Sequence, residues 1–451
     1  SLSSEANPYF LFPQIYNFRY NIFSSEWPVA NRVIELYLQK KSENGGWERQ
    51  INGISNNEKA VLLLEKRTFK ELLVDMELRN LQNNIVGQEA SRLFARAEIN
   101  MGVEAFRDSL YSLLKRNTFL NIKFENMLDT LGEISRTDIR SLLGEWEKTT
   151  PLPFYSLGEP TLTKITNKGG EEFFVLKMLI SNNSDYDGII HMDIRKDGWW
   201  YQPLEDPRAK TKIEMPAHTS KEFVSVWEDQ IRNVEINTMV SGNLPNIISQ
   251  DINNVKQERN KIVKDSIYIL PESSFDLPGE IIVDNEDSTL FILSAPPIVG
   301  LLPKWLDEVE ETPFKYSGIS WWRPPLQWTA TTNDRYYGKY IRSAFVIKSG
   351  DGSQTATWKV PVPEVGQYDL YYHVFKDDEL RWNNNLQGEY HFKVKYGSEV
   401  EDAYVNLRKA NEGWEQLGSY YFDSDTIRVV LTDECKLRSV TADAVKIVKR
   451  Y

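Results

Sequence analysis

The sequence predicts a multidomain α + β protein with an N-terminal all-helical domain, a small β-sandwich and a C-terminal jelly-roll-like β-sandwich. The chain has 451 residues, which at ~150 residues per domain is too long for one core. Apolar residues recur with a helical period in the first third of the chain and with a period of two afterwards. The predicted boundaries are 1–153 for the helical domain, 154–250 for the sandwich, 251–277 for a linker, and 278–451 for the second sandwich with an insertion at about 292–330.

Local signals mark the helices of the first domain. Thr68-x-x-Glu71 and Ser55-x-x-Glu58 have the spacing of capping boxes, in which a hydroxyl and a carboxylate satisfy the first amide groups of a helix. Apolar residues at spacings of three and four from 89 to 116 predict two helices broken at Gly102. A further helix is predicted from about 135 to 146, where Pro151 and Pro153 stop it.

The period changes after these prolines. Residues 173–180 read as a buried strand, 181–188 as a turn and 189–194 as the returning strand of a hairpin. Residues 251–265 are highly charged and lack apolar periodicity, so they are predicted to be a linker or a solvated helix.

Composition excludes several classes of function. The net charge is −12 and no basic stripe is present, which argues against a nucleic-acid partner. No apolar run approaches the roughly 18 residues needed for a membrane span. The four histidines are scattered and Cys435 is the single cysteine, so we expect no metal site, no cofactor and no catalytic residue in this chain.

Residues 87–106 are predicted to form a helix, a glycine turn and a second helix. Their sequence is Gly-Gln-Glu-Ala-Ser-Arg-Leu-Phe-Ala-Arg-Ala-Glu-Ile-Asn-Met-Gly-Val-Glu-Ala-Phe. It resembles the C-terminal half of the aminopeptidase N (gluzincin) metallopeptidase family, and Trp146 with the prolines that follow is similar to that family's entry into a β-sandwich. The resemblance covers about residues 1–250. It implies a helical peptidase-like domain followed by a sandwich.

The zinc chemistry of that family needs an HExxH helix, a further glutamate and a tyrosine. When Glu26 is placed on the glutamate ligand, the HExxH positions fall on Ser3-Ser4-Glu5-Ala6-Asn7 and the tyrosine position falls at or near Val86. Both imidazoles, the general base and the tyrosine are then missing. The resemblance therefore implies a degenerate zinc site, and Glu26 is expected to be an ordinary helix-entry carboxylate.

A second set of motifs lies in the last third of the chain, at 281–287, 356–358, 361–372, 413–422 and 441–445. These motifs resemble the golvesin C-terminal-like domain, which is also found on xanthan lyases. The resemblance implies a jelly-roll-like sandwich, related in shape to carbohydrate-binding modules and attached to secreted or cell-surface bacterial proteins.

Tryptophans of the predicted insertion are the best ligand candidates. Adjacent Trp321 and Trp322 cannot both face one core from a strand, and Trp328 and Trp382 are grouped with them as residues on which a sugar ring would stack. The alternative is that these rings pack the insertion against a neighbouring domain. Trp358 and Trp414 are expected in the core, and Asp443 is expected to be a buried acid that accepts N–H bonds.

Together these observations predict a non-catalytic binding or scaffold protein of the bacterial cell envelope. Its predicted partner is a polysaccharide or a cell-surface protein, and its predicted location is the periplasm or the cell surface, with anchoring through a segment absent from this sequence. The main alternative is the C-terminal portion of a zinc aminopeptidase whose HExxH lies upstream of Ser1. A carbohydrate-processing enzyme that uses acids such as Asp377, Asp378 and Glu379 is the third hypothesis.

Overall fold

The computed structural model describes residues 20–39, 46–167, 169–196, 202–259, 263–271, 279–294, 314–320, 323–376 and 388–450. The chain divides into two compact units. Unit 1 comprises residues 1–44 and 56–274, and unit 2 comprises 45–55 and 275–451. Helices and β-sandwiches are both present, so the predicted mixed α + β class is confirmed.

The first part of unit 1 is a layer of helices with a short parallel strand pair. The strands are β1 (Asn21–Phe23) and β2 (Asn121–Lys123). The helices are α1 (Ala30–Leu38), α3 (Asn56–Lys66), α4 (Phe69–Val74), α5 (Gln82–Met101), α6 (Val103–Arg116), α7 (Phe124–Ser135) and the 3₁₀ helix η1 (Arg140–Glu147). Helix α2 (Gly46–Asn52) belongs to unit 2.

Two local predictions for this layer are confirmed. Thr68 caps α4 with both hydrogen bonds of a capping box to Glu71. Gly102 separates α5 from α6 with φ of 84°, a left-handed conformation that glycine adopts at little cost. The helix predicted to end before Pro151 is a 3₁₀ helix, and its Trp146 is buried among Trp27, Phe69 and Phe124.

The second part of unit 1 is a two-sheet sandwich. One sheet has the order β11-β10-β6-β7, with β8 also paired to β6, and the other has the order β12-β4-β5-β9-β13, with β3 paired to β5. The strands are β3 (Tyr155–Leu157), β4 (Thr161–Thr166), β5 (Glu172–Asn182), β6 (Gly188–Lys196), β7 (Gln202–Pro203), β8 (Lys210–Met215), β9 (Thr219–Trp227), β10 (Ile231–Asn237), β11 (Ile247–Asp251), β12 (Val255–Arg259) and β13 (Ser266–Pro271). Leu176, Met178, Ile190 and Met192 belong to the core between them.

The prediction of a linker at 251–277, with 251–265 as a linker or a solvated helix, is wrong for the described residues of that range. Strand β12 pairs in parallel with β4, and β13 pairs antiparallel with β9. Both are edge strands whose residues are largely exposed on the two faces. An edge strand exposed on both faces needs no alternation of apolar and polar residues, so its sequence resembles a loop.

The helical layer and this sandwich form one compact unit instead of two separate domains. The buried carboxylate of Glu58 in α3 accepts a hydrogen bond of 2.9 Å from the backbone N–H of Asn246. A buried carboxylate is costly unless it is hydrogen-bonded, so this contact ties the two layers together.

Unit 2 is built on a second sandwich. One sheet has the order β14-β25-β19-β22, the facing sheet has the order β15-β18-β23-β20-β21, and a three-stranded sheet has the order β16-β17-β24. The strands are β14 (Glu280–Val283), β15 (Phe291–Leu293), β16 (Thr329–Thr332), β17 (Ser343–Lys348), β18 (Thr355–Pro361), β19 (Gly366–Val374), β20 (Glu389–Tyr396), β21 (Glu399–Asn406), β22 (Gly413–Phe422), β23 (Thr426–Thr432), β24 (Ser439–Ala442) and β25 (Val445–Lys449). Trp358, Tyr368, Tyr372, Phe392 and Phe422 fill the core between the two larger sheets.

The prediction that residues 1–153 form one helical domain is corrected by residues 45–55, which cluster with unit 2. Thr332 Oγ1 donates a hydrogen bond of 2.6 Å to the carbonyl of Gly53. A Cβ atom on Gly318 would lie 1.9 Å from the carbonyl oxygen of Ile51, so only glycine permits this backbone approach. These contacts join residues far apart in sequence, which local patterns do not reveal.

Candidate ligand-binding face

The outer face of the β14-β25-β19-β22 sheet carries aromatic and charged side chains. Side chains alternate along β19, so Tyr372 points into the core while Tyr371 and His373 lie on the other face. His373 is directly opposite Trp414 of β22, and Tyr371 is directly opposite Lys446 of β25. Opposed residues on neighbouring strands lie on the same face. We call the surface that carries Tyr371, His373, Trp414 and Lys446, and continues along β22 to Tyr421, the outer sheet face.

A histidine–aspartate pair anchors this face. The Nδ1 atom of His373 lies 2.8 Å from Oδ2 of the fully buried Asp443. The backbone N–H of Tyr337 also donates to the Asp443 carboxylate, at 3.2 Å from each oxygen. Burial raises the pKa of Asp443, and the neighbouring His373 and Tyr337 oppose this shift. The pair therefore holds the imidazole in one orientation beneath the aromatic rings.

Aromatic rings surround the imidazole. The Trp414 ring centroid lies 5.1 Å from that of His373 in an edge-to-face arrangement and 5.0 Å from that of Tyr337. The Lys446 ammonium lies 4.9 Å from the Trp414 centroid and 5.3 Å from the Tyr371 centroid, within the range of cation–π attraction. Lys446 also pairs with Glu280 at 2.9 Å.

Polar groups continue along the same face of β22. The Asp369 carboxylate accepts hydrogen bonds from Gln416 Nε2 at 3.1 Å, from Ser419 Oγ and from Arg450 Nε at 2.8 Å. Desolvation of Asp369 opposes ionisation, but the Ser419 and Arg450 hydrogen bonds lower its pKa overall. Tyr421 lies beyond this cluster and is 60% exposed. A charged, hydrogen-bonding patch thus lies between two aromatic residues of one strand.

The sequence-predicted ligand residues lie partly outside the described part of the chain, since Trp321, Trp322 and Trp382 are not among the described residues. Trp328 is partly buried and packs against the core of unit 2, and its indole nitrogen is buried without a hydrogen-bond partner. The assignment of these four tryptophans to a ligand stays a prediction.

Two other sequence expectations meet different outcomes. Trp358 is fully buried in the core, and its Nε1 donates to the carbonyl of Asp443. Trp414, also expected in the core, is only partly buried and lies on the outer sheet face. The alternation of Tyr371 and His373 on the neighbouring strand could have predicted that these two side chains share the outer sheet face. Adding Trp414 to that face requires the pairing of β19 with β22, which is not evident from sequence.

A histidine–aspartate pair activates a nucleophile only when a hydroxyl or thiol lies within hydrogen-bond reach. Asp443 is the hydrogen-bond partner of His373 within the described chain. Across the same described ranges, no three His, Cys, Asp or Glu side chains converge in a metal-binding arrangement.

The residues aligned to a zinc site lie apart from this face. Ser3 to Asn7 are outside the described residues. Glu26 is exposed four residues before α1 and so is not in its first turn, and Val86 is fully buried in α5.

No helix in the described part of the chain is long and apolar enough to cross a membrane.

Residues 324–449 match the family model of the golvesin C-terminal domain, so the golvesin-like resemblance is confirmed for this part of unit 2. The match does not extend to the residues on which the aminopeptidase resemblance rests. No curated protein sequence matches the chain.

Two solved structures show distant similarity. A xanthan lyase from Paenibacillus is 16% identical, with 67% of this chain and 26% of that chain covered and a TM-score of 0.27. A β-glucuronidase from Bacteroides uniformis is 11% identical, with 66% of this chain and 30% of that chain covered and a TM-score of 0.19. This chain thus covers less than a third of either structure, and similarity at these TM-scores is too weak to identify a shared fold.

Proposed function

We propose that this chain is a non-catalytic binding protein of the bacterial cell envelope that holds a polysaccharide on the outer sheet face of unit 2. The observation that carries the proposal is the Trp414 ring, which lies partly exposed opposite a His373 imidazole locked by a buried carboxylate. The golvesin C-terminal domain match covers all of these residues. The resemblance to that family supports a cell-surface location.

The arrangement matches the chemistry of a sugar. The apolar C–H face of a pyranose packs against an aromatic ring, and its hydroxyl groups need hydrogen-bond donors and acceptors at the ring edge. Trp414 and Tyr421 supply the rings. Asp369, Gln416 and Ser419 supply polar atoms on the same strand pair.

Affinity electrophoresis in gels that contain xanthan or a neutral β-glucan tests the proposal. We expect retention of the protein in at least one gel, and about fivefold weaker retention for Trp414→Ala, since an aromatic contact of this kind is worth about 1 kcal/mol. Tyr421→Ala should also weaken retention. Because the Tyr421 side chain is 60% exposed, a folding defect would not explain this loss.

Tyr404→Ala is the matched control. Tyr404 is equally exposed, at 60%, but lies on β21 of the other large sheet, where its ring stacks on His391. Its loss should leave retention unchanged. Equal retention of the wild type, Trp414→Ala and Tyr421→Ala, or no retention in either gel, would overturn the proposal.

We also propose that unit 1 is a peptidase-like remnant without zinc chemistry. The succession of helices and a sandwich within one compact unit supports this, as does the buried apolar Val86 at the position of the tyrosine. The alternative is the C-terminal portion of a zinc aminopeptidase whose HExxH lies upstream of Ser1. Reading the residues upstream of Ser1 for an HExxH motif separates these two hypotheses. Zinc analysis after dialysis and turnover of aminoacyl anilides test the remnant proposal for this chain itself, and chelator-sensitive turnover would overturn it.

A further inference from the structure

Unit 1 contains a cavity of about 320 Å³ where the helical layer meets the sandwich. Helix α5 contributes Glu89, Arg92 and Arg96, and η1 contributes Glu145 and Trp146. The sandwich contributes Asp187 and the first residues of β6, the end of β8, and the residues that follow β10. At ~30 Å³ for each water molecule in the liquid, the cavity has room for about ten water-sized groups, which is enough for a small organic molecule.

One wall of the cavity carries a carboxyl group that the protein satisfies only in part. Glu89 is 1% exposed, and its Oε2 atom is buried without a hydrogen-bond partner. Its Oε1 atom accepts a long hydrogen bond of 3.4 Å from Arg92 Nη1, and the same Nη1 makes a shorter bond of 3.0 Å to Thr150 Oγ1. The Trp146 and Thr150 side chains also help to stabilise the ionised carboxylate. Buried polar atoms in folded proteins almost always have a partner, so Oε2 is suited to meet a donor from a ligand.

The charged residues of the lining indicate the sign of the charge on that ligand. Four carboxylates line the cavity, from Glu89, Glu145, Asp187 and Glu214, against two guanidinium groups, from Arg92 and Arg96. Arg96 lies 3.7 Å from Glu214, and Arg92 lies 4.0 Å from Glu145, so both cations already face acids. Acids outnumber bases in the lining by two, and they still do so by one when Glu89 is protonated, which favours a cation.

The rest of the lining is apolar, with Leu93, Leu142, Trp146, Pro151 and Ile189 among its members. Ligand cavities in proteins typically combine such walls with a few polar groups that fix orientation. We propose that this cavity binds a small organic ammonium ion, with the charged nitrogen on Oε2 of Glu89 and the apolar body against Trp146 and its neighbours. This proposal is independent of the polysaccharide proposal, which concerns unit 2.

The desolvation of Glu89 raises its pKa, and Arg92, Trp146 and Thr150 only partly offset this. A bound ammonium group would favour the ionised carboxylate, because an opposite charge stabilises the charged form. Ligand binding should therefore release protons at pH values where Glu89 is protonated in the free protein.

Isothermal titration of the full chain with 2-phenylethylamine tests the proposal, with 2-phenylethanol and phenylacetate as neutral and anionic analogues of similar size. We expect the amine to bind and the two analogues to bind at least tenfold more weakly. Glu89→Gln should weaken amine binding at least tenfold. Glu133→Gln, an exposed glutamate on α7, is the matched control and should bind like the wild type.

A second variant tests the proposal independently, in case Glu89→Gln fails to fold. Val240 lines the cavity and is partly exposed, so Val240→Trp should fill the cavity and abolish amine binding while circular dichroism stays unchanged. Equal binding of amine and alcohol, unchanged amine binding by both Glu89→Gln and Val240→Trp, or no amine binding at millimolar concentration would each overturn the proposal.

Discussion

Lys212 of β8 and Glu98 of α5 form a buried ion pair that joins the sandwich of unit 1 to its longest helix. Their side chains are only 11% and 4% exposed, and Glu98 also accepts a hydrogen bond of 2.9 Å from Tyr37 Oη. The charges lie 114 residues apart in sequence. Each is compensated only when the helical layer and the sandwich are assembled together.

Removal of one partner should therefore destabilise unit 1. We expect Lys212→Met to lower the free energy of unfolding by about 3 kcal/mol, because it leaves the Glu98 carboxylate buried without its cation. Urea denaturation measures the change. Arg140→Met is the control, since the Arg140–Asp129 pair is about half exposed and exposed pairs contribute less than ~1 kcal/mol. Equal effects of the two substitutions would contradict the structural role of the buried pair.

Two histidines of unit 2 allow a similar comparison. His373→Ala removes the imidazole from the fully buried Asp443 and leaves its carboxylate with the Tyr337 N–H as its remaining described donor. We expect a loss of about 2 kcal/mol, the cost of removing one partner from a buried acceptor. His391 instead faces the exposed carboxylates of Asp402 and Glu434, which water can solvate. His391→Ala should therefore cost less than ~1 kcal/mol, and a larger cost for His391→Ala than for His373→Ala would be inconsistent with the geometry.

The stability of unit 1 should depend on pH through Glu89. Burial raises the pKa of Glu89 in the folded state above its ordinary value of 4.5, so the folded state retains the proton more strongly than the unfolded state. This contribution to stability is complete below about pH 4.5 and is lost as the pH rises through the folded pKa. Glu89→Gln should remove this loss, so the variant gains stability relative to the wild type between pH 5 and pH 8.

Hydrogen exchange of α5 amides at the two pH values, corrected for intrinsic exchange rates, measures this difference within unit 1. Glu133→Gln should follow the wild type, because Glu133 is exposed. A constant difference between Glu89→Gln and the wild type across this range would show that Glu89 does not titrate as its burial requires.

Backbone conformation at two glycines leads to opposite expectations. Gly102 has φ of 84° between α5 and α6, so Gly102→Ala should cost about 1 kcal/mol. Gly144 lies in η1 with an ordinary φ and open space around a Cβ atom. Gly144→Ala should be neutral or stabilising by up to ~1 kcal/mol, because alanine restricts the unfolded chain. Thermal unfolding of the two variants distinguishes the outcomes.

The sequence by itself determined features whose causes lie within a few residues. The Thr68–Glu71 capping box, the break at Gly102 and the strands β5 and β6 depend on local hydrogen bonds, glycine conformation and apolar alternation. The hairpin predicted for β5 and β6 is wrong, because the two strands lie in different sheets of the sandwich. The golvesin-like motifs were recognisable for the same reason, since each is a short run of residues at fixed spacing.

Tertiary structure decided the features that depend on distant partners. Strands β12 and β13 are exposed on both faces, so only their pairing with β4 and β9 defines them as strands. Asp443 meets His373 across 70 residues, and the charge excess around Glu89 arises where α5 faces the sandwich. Burial and electrostatic interactions depend on distance in space, and only the assembled fold sets those distances.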